Sequence, residues 1–397
     1  MTSKIKVTHI VTMLEVGGAQ KNTLYTVSHL KSDRYERQLL SGPGGLLDEE
    51  AHELSRQGID VGSISYLARY VHPWVDLWAT FQIWRELKRF KPDIVHTHSS
   101  KAGILGRLAA QLAGVPVIIH TFHGFGFHDW QRPWVKRIFI FAERWTARFA
   151  DKLIFVSKSN QDTALKLRVG KPEQYKLIRS GVKKSARASQ EQAEAIKIKL
   201  GIPQGSALVT TIGPFKPQKN LSDYLRLAKA VTDLEPRCKL LLVGDGMERP
   251  YLEQLRSSLK LDDKVMMPGW RTDVTDILSA SDVFVMTSLW EGLPRSLLEA
   301  MNFGIPPVCY NTDGIKDIVK NEENGFLFRP GEIVPMAERI VSLLRNSSLR
   351  EKIGRAAASS IGNEFDIDVM VKQQEELYET LYKSKIQNKK TNENSPS

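Results

Sequence analysis

The chain has 397 residues, 42% hydrophobic and 25% charged, an ordinary globular composition with length enough for two or three packed domains. Two cysteines, Cys238 and Cys309, are too few for a disulfide framework and lack neighbours at metal-ligand spacing, so buried inert thiols in a reducing cytoplasm are expected. The formal charge of +11 is concentrated in residues 1–180, with 26 Lys/Arg against 16 Asp/Glu; no nucleic-acid motif accompanies it, which turns attention to an anionic membrane surface or a diphosphate-bearing lipid.

No stretch approaches eighteen uninterrupted apolar residues, so no membrane-spanning helix is expected. The opening apolar run, 5–14, lacks a small-residue cleavage site after it and reads as a first strand rather than a secretory signal. Strands are predicted at 7–13, 37–40, 93–97, 116–121 and 152–156, then at 207–212, 239–243, 264–267, 283–286 and 307–310. Each is a short Val/Ile/Leu run followed by a longer amphipathic stretch, the signature of parallel strands covered by helices. The fold class is therefore α/β, with two Rossmann-like, doubly wound parallel-sheet domains facing across a cleft. Their expected limits are 1–180 and 181–365, with a hinge over 178–194, polar from 183 onward. A last amphipathic helix, 366–383, is expected to cross back to the N-terminal domain, and 384–397 to form a disordered tail.

Ligands of such sheets bind beyond the carboxyl ends of the strands, so the residues just after each strand matter most. After the first strand, Gly17 and Gly18 open a helix whose N-terminus favours an anion, although the full dinucleotide fingerprint is missing. His96, His98, His120 and His123 follow two apolar strands without a helical His pair or neighbouring cysteines, so no metal is expected. His123, beside Gly124, is the candidate to hydrogen-bond a sugar hydroxyl, while His96 and His120 read as structural. In the second half Gly213 closes a strand, and Lys216 and Lys219 follow, placed to stabilise a diphosphate. Gly244 ends the next strand in a sharp turn, and Gly269, Trp270 and Arg271 form the tip of another. The most specific segment runs from Ser288 to Glu299. Glu291 lies in a loop after a strand, Gly292, Leu293 and Pro294 can present backbone N–H groups, and Glu299 lies in the helix that follows.

These residues resemble the family-four group of retaining glycosyltransferases with the GT-B fold (glycosyl transferases group 1), of the surface-polysaccharide type. The likeness covers nearly the whole chain, through Gly17–Gly18, His98, His123–Gly124, Lys219, the Glu291-to-Glu299 block, Gly304, Pro306, Gly314 and Asn324–Leu327. It implies that a sugar moves from a UDP- or GDP-linked donor to a hydroxyl of a glycan or lipid-linked acceptor, in polysaccharide or lipopolysaccharide assembly. By resemblance, Glu291 holds hydroxyls of the transferred sugar, Glu299 the ribose and Lys219 the donor diphosphate. Gly17 and Gly18 close on phosphates, His123 lies near the donor sugar, and Gly292–Pro294 cradles it. No metal or cofactor is implied, and transfer is front-face, the leaving diphosphate helping to deprotonate the acceptor. One departure stands out: the family commonly has an arginine where this chain has Pro214, and Lys216 is the candidate replacement. The alternatives are a non-catalytic nucleotide-sugar-binding protein or a sugar-nucleotide epimerase on the same fold.

Two stretches of the first half mix bases with aromatics: Trp74, Trp78, Phe81 and Trp84, then Trp130, Trp134, Phe139, Phe141 and Trp145 among Arg132, Lys136, Arg137, Arg144 and Arg148. Two readings stay open: a membrane headgroup interface, or aromatic faces packed into a core. The first places a cytoplasmic protein peripherally on the inner face of the cytoplasmic membrane.

Overall fold

The computed structural model describes residues 4–387, and these divide into two compact units, residues 4–181 with 367–387, and residues 182–366. The first holds a seven-stranded, all-parallel sheet of β1 (Ile5–Met13), β2 (Tyr35–Gly42), β3 (Asp60–Ser63), β4 (Ile94–His98), β5 (Val117–Phe122), β6 (Lys152–Phe155) and β7 (Tyr175–Leu177), in the order 3-2-1-4-5-6-7. The second holds β8 (Leu208–Ile212), β9 (Lys239–Val243), β10 (Val265–Gly269), β11 (Val283–Met286), β12 (Pro307–Tyr310) and β13 (Phe326–Phe328), in the order 10-9-8-11-12-13. In both, the strand order reverses beside the first strand, so the sheets are doubly wound, with switch points between β1 and β4 and between β8 and β11. β4, β5, β8, β11 and β12 are buried along their whole lengths because helices cover both faces; Val283–Met286 is apolar throughout, while β4, β5 and β8 bury His or Thr side chains as well.

The helix Ile367–Tyr382 belongs to the first unit. Its buried positions Ile367, Met370, Val371, Gln374, Glu375, Tyr378 and Tyr382 recur at helical spacing. Its apolar members join Val7, Ile94, Val117, Ile119 and Ile154 in one core cluster. Ion pairs of Glu379 with Arg34 (2.6 Å) and Glu375 with Lys31 (3.6 Å) flank that seam. Helical backbone continues through Gln387, so the expected disorder does not begin at Ser384; its remainder, from 388, lies outside the described residues. The expected hinge over 178–194 is also shorter than predicted. A helix starts at Gln190, because the Ser189 hydroxyl accepts from the Gln192 N–H while the Gln192 side chain accepts from the Ser189 N–H. Cys238 and Cys309 are buried and free, and burial pushes the Cys238 thiol up to about 12.

Candidate donor site and a histidine cluster

The second unit builds its site at the switch point. Beyond β8, Gly213 is followed by half-buried Lys216 and a short turn of 3-10 helix, Pro217–Lys219. Beyond β11 runs the loop Thr287–Pro294, and then the helix Arg295–Asn302. Hydrogen bonds tie the two loops together: Leu289 N–H donates to the Gln218 carbonyl (2.9 Å), the Gln218 amide to the Trp290 carbonyl (2.7 Å), and the Thr287 hydroxyl to the Lys219 carbonyl (3.0 Å). So fixed, the Lys219 ammonium meets the Glu291 carboxylate at 2.6 Å, with side chains only 13% and 8% exposed. One turn into the helix, Arg295 Nε donates to Glu299 at 2.7 Å. Each carboxylate singled out from the sequence thus has a cation against it, and Lys219 and Glu291 form one unit.

The glycines divide by cause. A Cβ on Gly213 would come within 2.9 Å of the Lys219 side chain, so this glycine lets the lysine lie across it. Gly244 has φ +135°, and a Cβ there would stand 1.9 Å from the Gly213 carbonyl oxygen; its close neighbour is the protein's own backbone. Gly314 braces the catalytic loop candidate in the same way, since a Cβ there would fall 2.0 Å from the Gly292 carbonyl. Leu293 and Pro294 are buried and Pro294 caps the following helix. Gly269 ends β10 in the left-handed region (φ +81°), Trp270 is half-buried, and Arg271 is committed to Asp273 through two bonds of 2.7 and 2.8 Å. Arg295 and Gln218, which hold Glu299 and the loop, carry no motif that marks them in the sequence.

In the first unit Gly17 caps the helix Gly18–His29 with extended backbone, and a Cβ there would meet only the mobile end of Gln20. The fold itself does not demand glycine at 17, which leaves room for a ligand as its reason. At this unit's switch point the Thr12 and Ser99 hydroxyls meet at 2.8 Å, with Ser99 at φ +59°. His9 of β1 sits in register with His96 of β4, and both are fully buried, as are His98 and His120; His123, just beyond β5, is half-buried. Burial pushes His9 down to about 3 and His123 to about 4, and it lowers His96, His98 and His120 well below the usual imidazole range. All five are therefore neutral at pH 7. His120 is structural: its Nδ1 meets the Thr97 hydroxyl at 2.9 Å, and its ring fills the space a Cβ on Gly103 would take. His9, His96 and His98 bring ring nitrogens within 4.8 Å of one another, a spacing that could hold a metal. Every ring nitrogen of the three nevertheless has a hydrogen-bond partner in the protein.

The aromatic stretches lie on the surface. The helix Pro133–Ala147 exposes Trp134, Ile138, Phe141 and Trp145, and the helix Pro73–Phe90 exposes Trp74, Leu77, Trp78 and Phe81, in each case one stripe at helical spacing. Both pack against the helix Ser100–Ala113. A core role is therefore excluded for these side chains, while Phe139 and Trp84 are half-buried.

Comparison with known proteins agrees with this geometry. Residues 16–185 match the model of Glycosyltransferase Family 4, and residues 192–360 that of Glycosyl transferases group 1. Over 380 residues, 95% of this chain and 97% of the relative, the sequence is 32% identical to the UDP-Gal:alpha-D-GlcNAc-diphosphoundecaprenol alpha-1,3-galactosyltransferase of Escherichia coli. HepE of Anabaena, solved in complex with UDP and glucose, superposes with a TM-score of 0.81 at 21% identity, covering 95% of this chain and 100% of that one. Sucrose-phosphate synthase from Thermosynechococcus elongatus gives 0.81 at 19% identity, covering 96% and 100%. The last two share the fold.

Proposed function

As the chain belongs to the family 4, group 1 glycosyltransferases, we propose that it moves a hexose from a uridine-linked donor to a hydroxyl of a lipid-diphosphate-linked glycan, with retention at the anomeric carbon. The observation that carries this reading is the Lys219–Glu291 pair, 2.6 Å apart, on two loops bonded to each other at the switch point of the second sheet. The lysine supplies positive charge for a diphosphate that gains negative charge as it leaves, and the carboxylate accepts hydrogen bonds from sugar hydroxyls. Glu299, oriented by Arg295, takes the ribose hydroxyls. His123 hydrogen-bonds a sugar hydroxyl. In the reaction the acceptor oxygen bonds to the anomeric carbon on the face the diphosphate leaves, and the diphosphate takes the hydroxyl proton. Lys219 and Lys216 carry the charge without a resident metal, so activity is expected to survive chelator.

The uridine and the lipid acceptor rest on likeness to the Escherichia coli enzyme, whose name specifies UDP-galactose and a diphosphoundecaprenol acceptor. The exposed stripes of Pro73–Phe90 and Pro133–Ala147 support docking on the anionic membrane that would hold such an acceptor. Arg132, Arg137 and Arg148 stand exposed along the second stripe; Lys136 already pairs with Asp129 at 2.5 Å and contributes less.

The test is thermal stabilisation by a panel of nucleoside diphosphates and nucleotide-sugars, with Glu299→Ala beside the wild type. A shift with one nucleotide that the variant loses supports the donor site and identifies the base; no shift with any nucleotide defeats the reading. NMR of the product's anomeric proton decides retention. Sedimentation with anionic vesicles, comparing wild type with Trp134→Glu/Phe141→Glu, decides docking: equal binding by both refutes it.

A further inference from the structure

Five hydrogen bonds join six side chains of the first unit without a break. His123 Nε2 lies 3.1 Å from His98 Nδ1, and His98 Nε2 lies 3.0 Å from His9 Nδ1. His9 Nε2 lies 3.4 Å from the Tyr378 hydroxyl, which lies 2.5 Å from His96 Nδ1, and His96 Nε2 lies 2.7 Å from the Thr121 hydroxyl. Four of the six come from strands β1, β4 and β5; His123 follows β5, and Tyr378 comes from the returning helix, 369 positions from His9.

A neutral imidazole has one N–H and one acceptor nitrogen, so each histidine in such a chain must accept on one side and donate on the other. Burial keeps all four neutral, and a single proton sense has to run through the set. The short contact decides which. A phenol O–H is a stronger donor than an imidazole N–H, and the Tyr378 oxygen sits closest to His96 Nδ1, so it donates there. Its oxygen then accepts from His9 Nε2–H across the long 3.4 Å link, and the sense propagates: His98 Nε2–H to His9 Nδ1, and His123 Nε2–H to His98 Nδ1. At the other end His96 Nε2–H donates to the Thr121 hydroxyl.

We propose that this chain fixes His123 in its Nε2–H tautomer with Nδ1 as a hydrogen-bond acceptor, and that Tyr378 is a positioning residue acting on His123 through His9 and His98. Resting on the reading that His123 hydrogen-bonds a sugar hydroxyl, it adds a direction: His123 receives that hydrogen bond and does not donate one to a carbonyl or ring oxygen. It also gives the returning helix a task beyond packing, since the donor that sets the sense sits on it. A small cavity lined in part by His98, His123, Thr121 and Gln374 lies beside the chain. Besides His9 Nε2, at the same 3.4 Å, a further competing acceptor for the Tyr378 proton is Gln374 Oε1. Donation to it leaves the sense between His9 and His123 unchanged, because the phenol oxygen still accepts from His9.

The experiment is ring-nitrogen NMR on the full chain labelled with 15N-histidine, near pH 7.5. His9, His98 and His123 are expected all to report the Nε2–H tautomer. Tyr378→Phe removes the acceptor at the far end and is expected to shift the His123 ring nitrogens, three links away, while Tyr35→Phe leaves them alone. Tyr35 packs on the same helix through a 3.4 Å bond to the Glu375 carbonyl but stands outside the chain. In turnover, Tyr378→Phe is expected to lower kcat about five- to tenfold, the worth of one neutral hydrogen bond, with the donor KM unchanged. Mixed tautomers among the three histidines, or a Tyr378→Phe change confined to His9 and His96, overturn the proposal. So does zinc that raises the melting temperature and moves the ring nitrogens of His9, His96 and His98, since those atoms would then be metal ligands. If the wild type turns over no nucleotide-sugar, the functional reading fails while the tautomer result still stands or falls by itself.

Discussion

Glu291 and Lys219 can be told apart by what each does to nucleotide binding. In the free protein they neutralise each other at 2.6 Å with little solvent contact. Replacing Glu291 by Gln keeps the shape but leaves the ammonium without its counter-charge. Breaking a fully buried pair costs about 3–5 kcal/mol, and partial exposure of this one lowers the expectation to about 1–3 kcal/mol. For a unit of this size that is a fall of about 3–9 °C in its melting transition. The released lysine is then available to a diphosphate, so Glu291→Gln is expected to bind nucleoside diphosphate as tightly as wild type or tighter, while turnover falls about 10²- to 10³-fold. Lys219→Ala is expected to do the reverse to binding: loss of a charge-assisted contact of about 1.5–3 kcal/mol weakens nucleoside diphosphate roughly 10- to 150-fold. Calorimetric titration of both variants, beside initial rates with the full donor, makes the comparison. Equal weakening of nucleoside diphosphate by the two substitutions would refute the division of labour, because it would put the carboxylate on the diphosphate side.

Three further outcomes are expected. Gly244→Ala is expected to destabilise the second unit by more than about 2 kcal/mol, read as a lower urea midpoint, since φ is +135° and the new methyl would meet the Gly213 carbonyl oxygen at 1.9 Å. Glu143→Ala strands Arg107, which it meets at 2.5 Å with both side chains fully buried, and is expected to cost the first unit about 3–5 kcal/mol by chemical denaturation. Acid should weaken the first unit earlier than carboxylate protonation alone would. His9 has a folded pKa of about 3, below its unfolded value of 6.5, so the unfolded state takes up the proton first. Stability is full above pH 6.5 and falls as pH drops below it, by about 2 kcal/mol at pH 5 from His9 alone. Urea midpoints at pH 7.5 and 5.0, with His9→Asn as the control, measure this.

The central strands were legible because burial on both faces makes them largely apolar, unbroken in Val283–Met286 and interrupted only by Thr210 and Thr211 in Leu208–Ile212. The edge strands Asp60–Ser63, Tyr175–Leu177 and Phe326–Phe328 are three or four residues long and half-solvated, too short for any pattern to emerge. The helix starting at Gln190 could have been found from Ser189 and Gln192, a capping pair that lay inside a stretch read as hinge. The loop with Glu291 was readable because its neighbours are local in sequence. The histidine chain was not: it depends on β1, β4 and β5 lying side by side and on a helix returning from the far end of the chain, which no spacing records.

The helix Pro133–Ala147 carries the sharpest lesson about what an amphipathic pattern leaves open. Periodicity tells that two faces differ; it does not tell which one points inward. Here Glu143, Thr146 and Ala147 are buried, and Trp134, Ile138, Phe141 and Trp145 are exposed. The inversion has a local cause. The neighbouring helix Ser100–Ala113 presents Arg107, buried and bonded through Nε to the Gly103 carbonyl (2.7 Å), and that cation needs a carboxylate more than it needs apolar contact. Glu143 supplies it, and fixing Glu143 inward turns the opposite stripe of the helix outward. Four large apolar side chains stand exposed on this stripe, of which Trp145 packs edge-on against Phe149. Their exposure beside Arg132, Arg137 and Arg148, and the second stripe at Trp74, Leu77, Trp78 and Phe81, fit the proposed apolar, anionic partner such as a lipid surface. The buried ion pair therefore orients the face proposed to dock. Glu143→Gln, which keeps the shape, should weaken vesicle binding only to the extent that it unfolds the first unit.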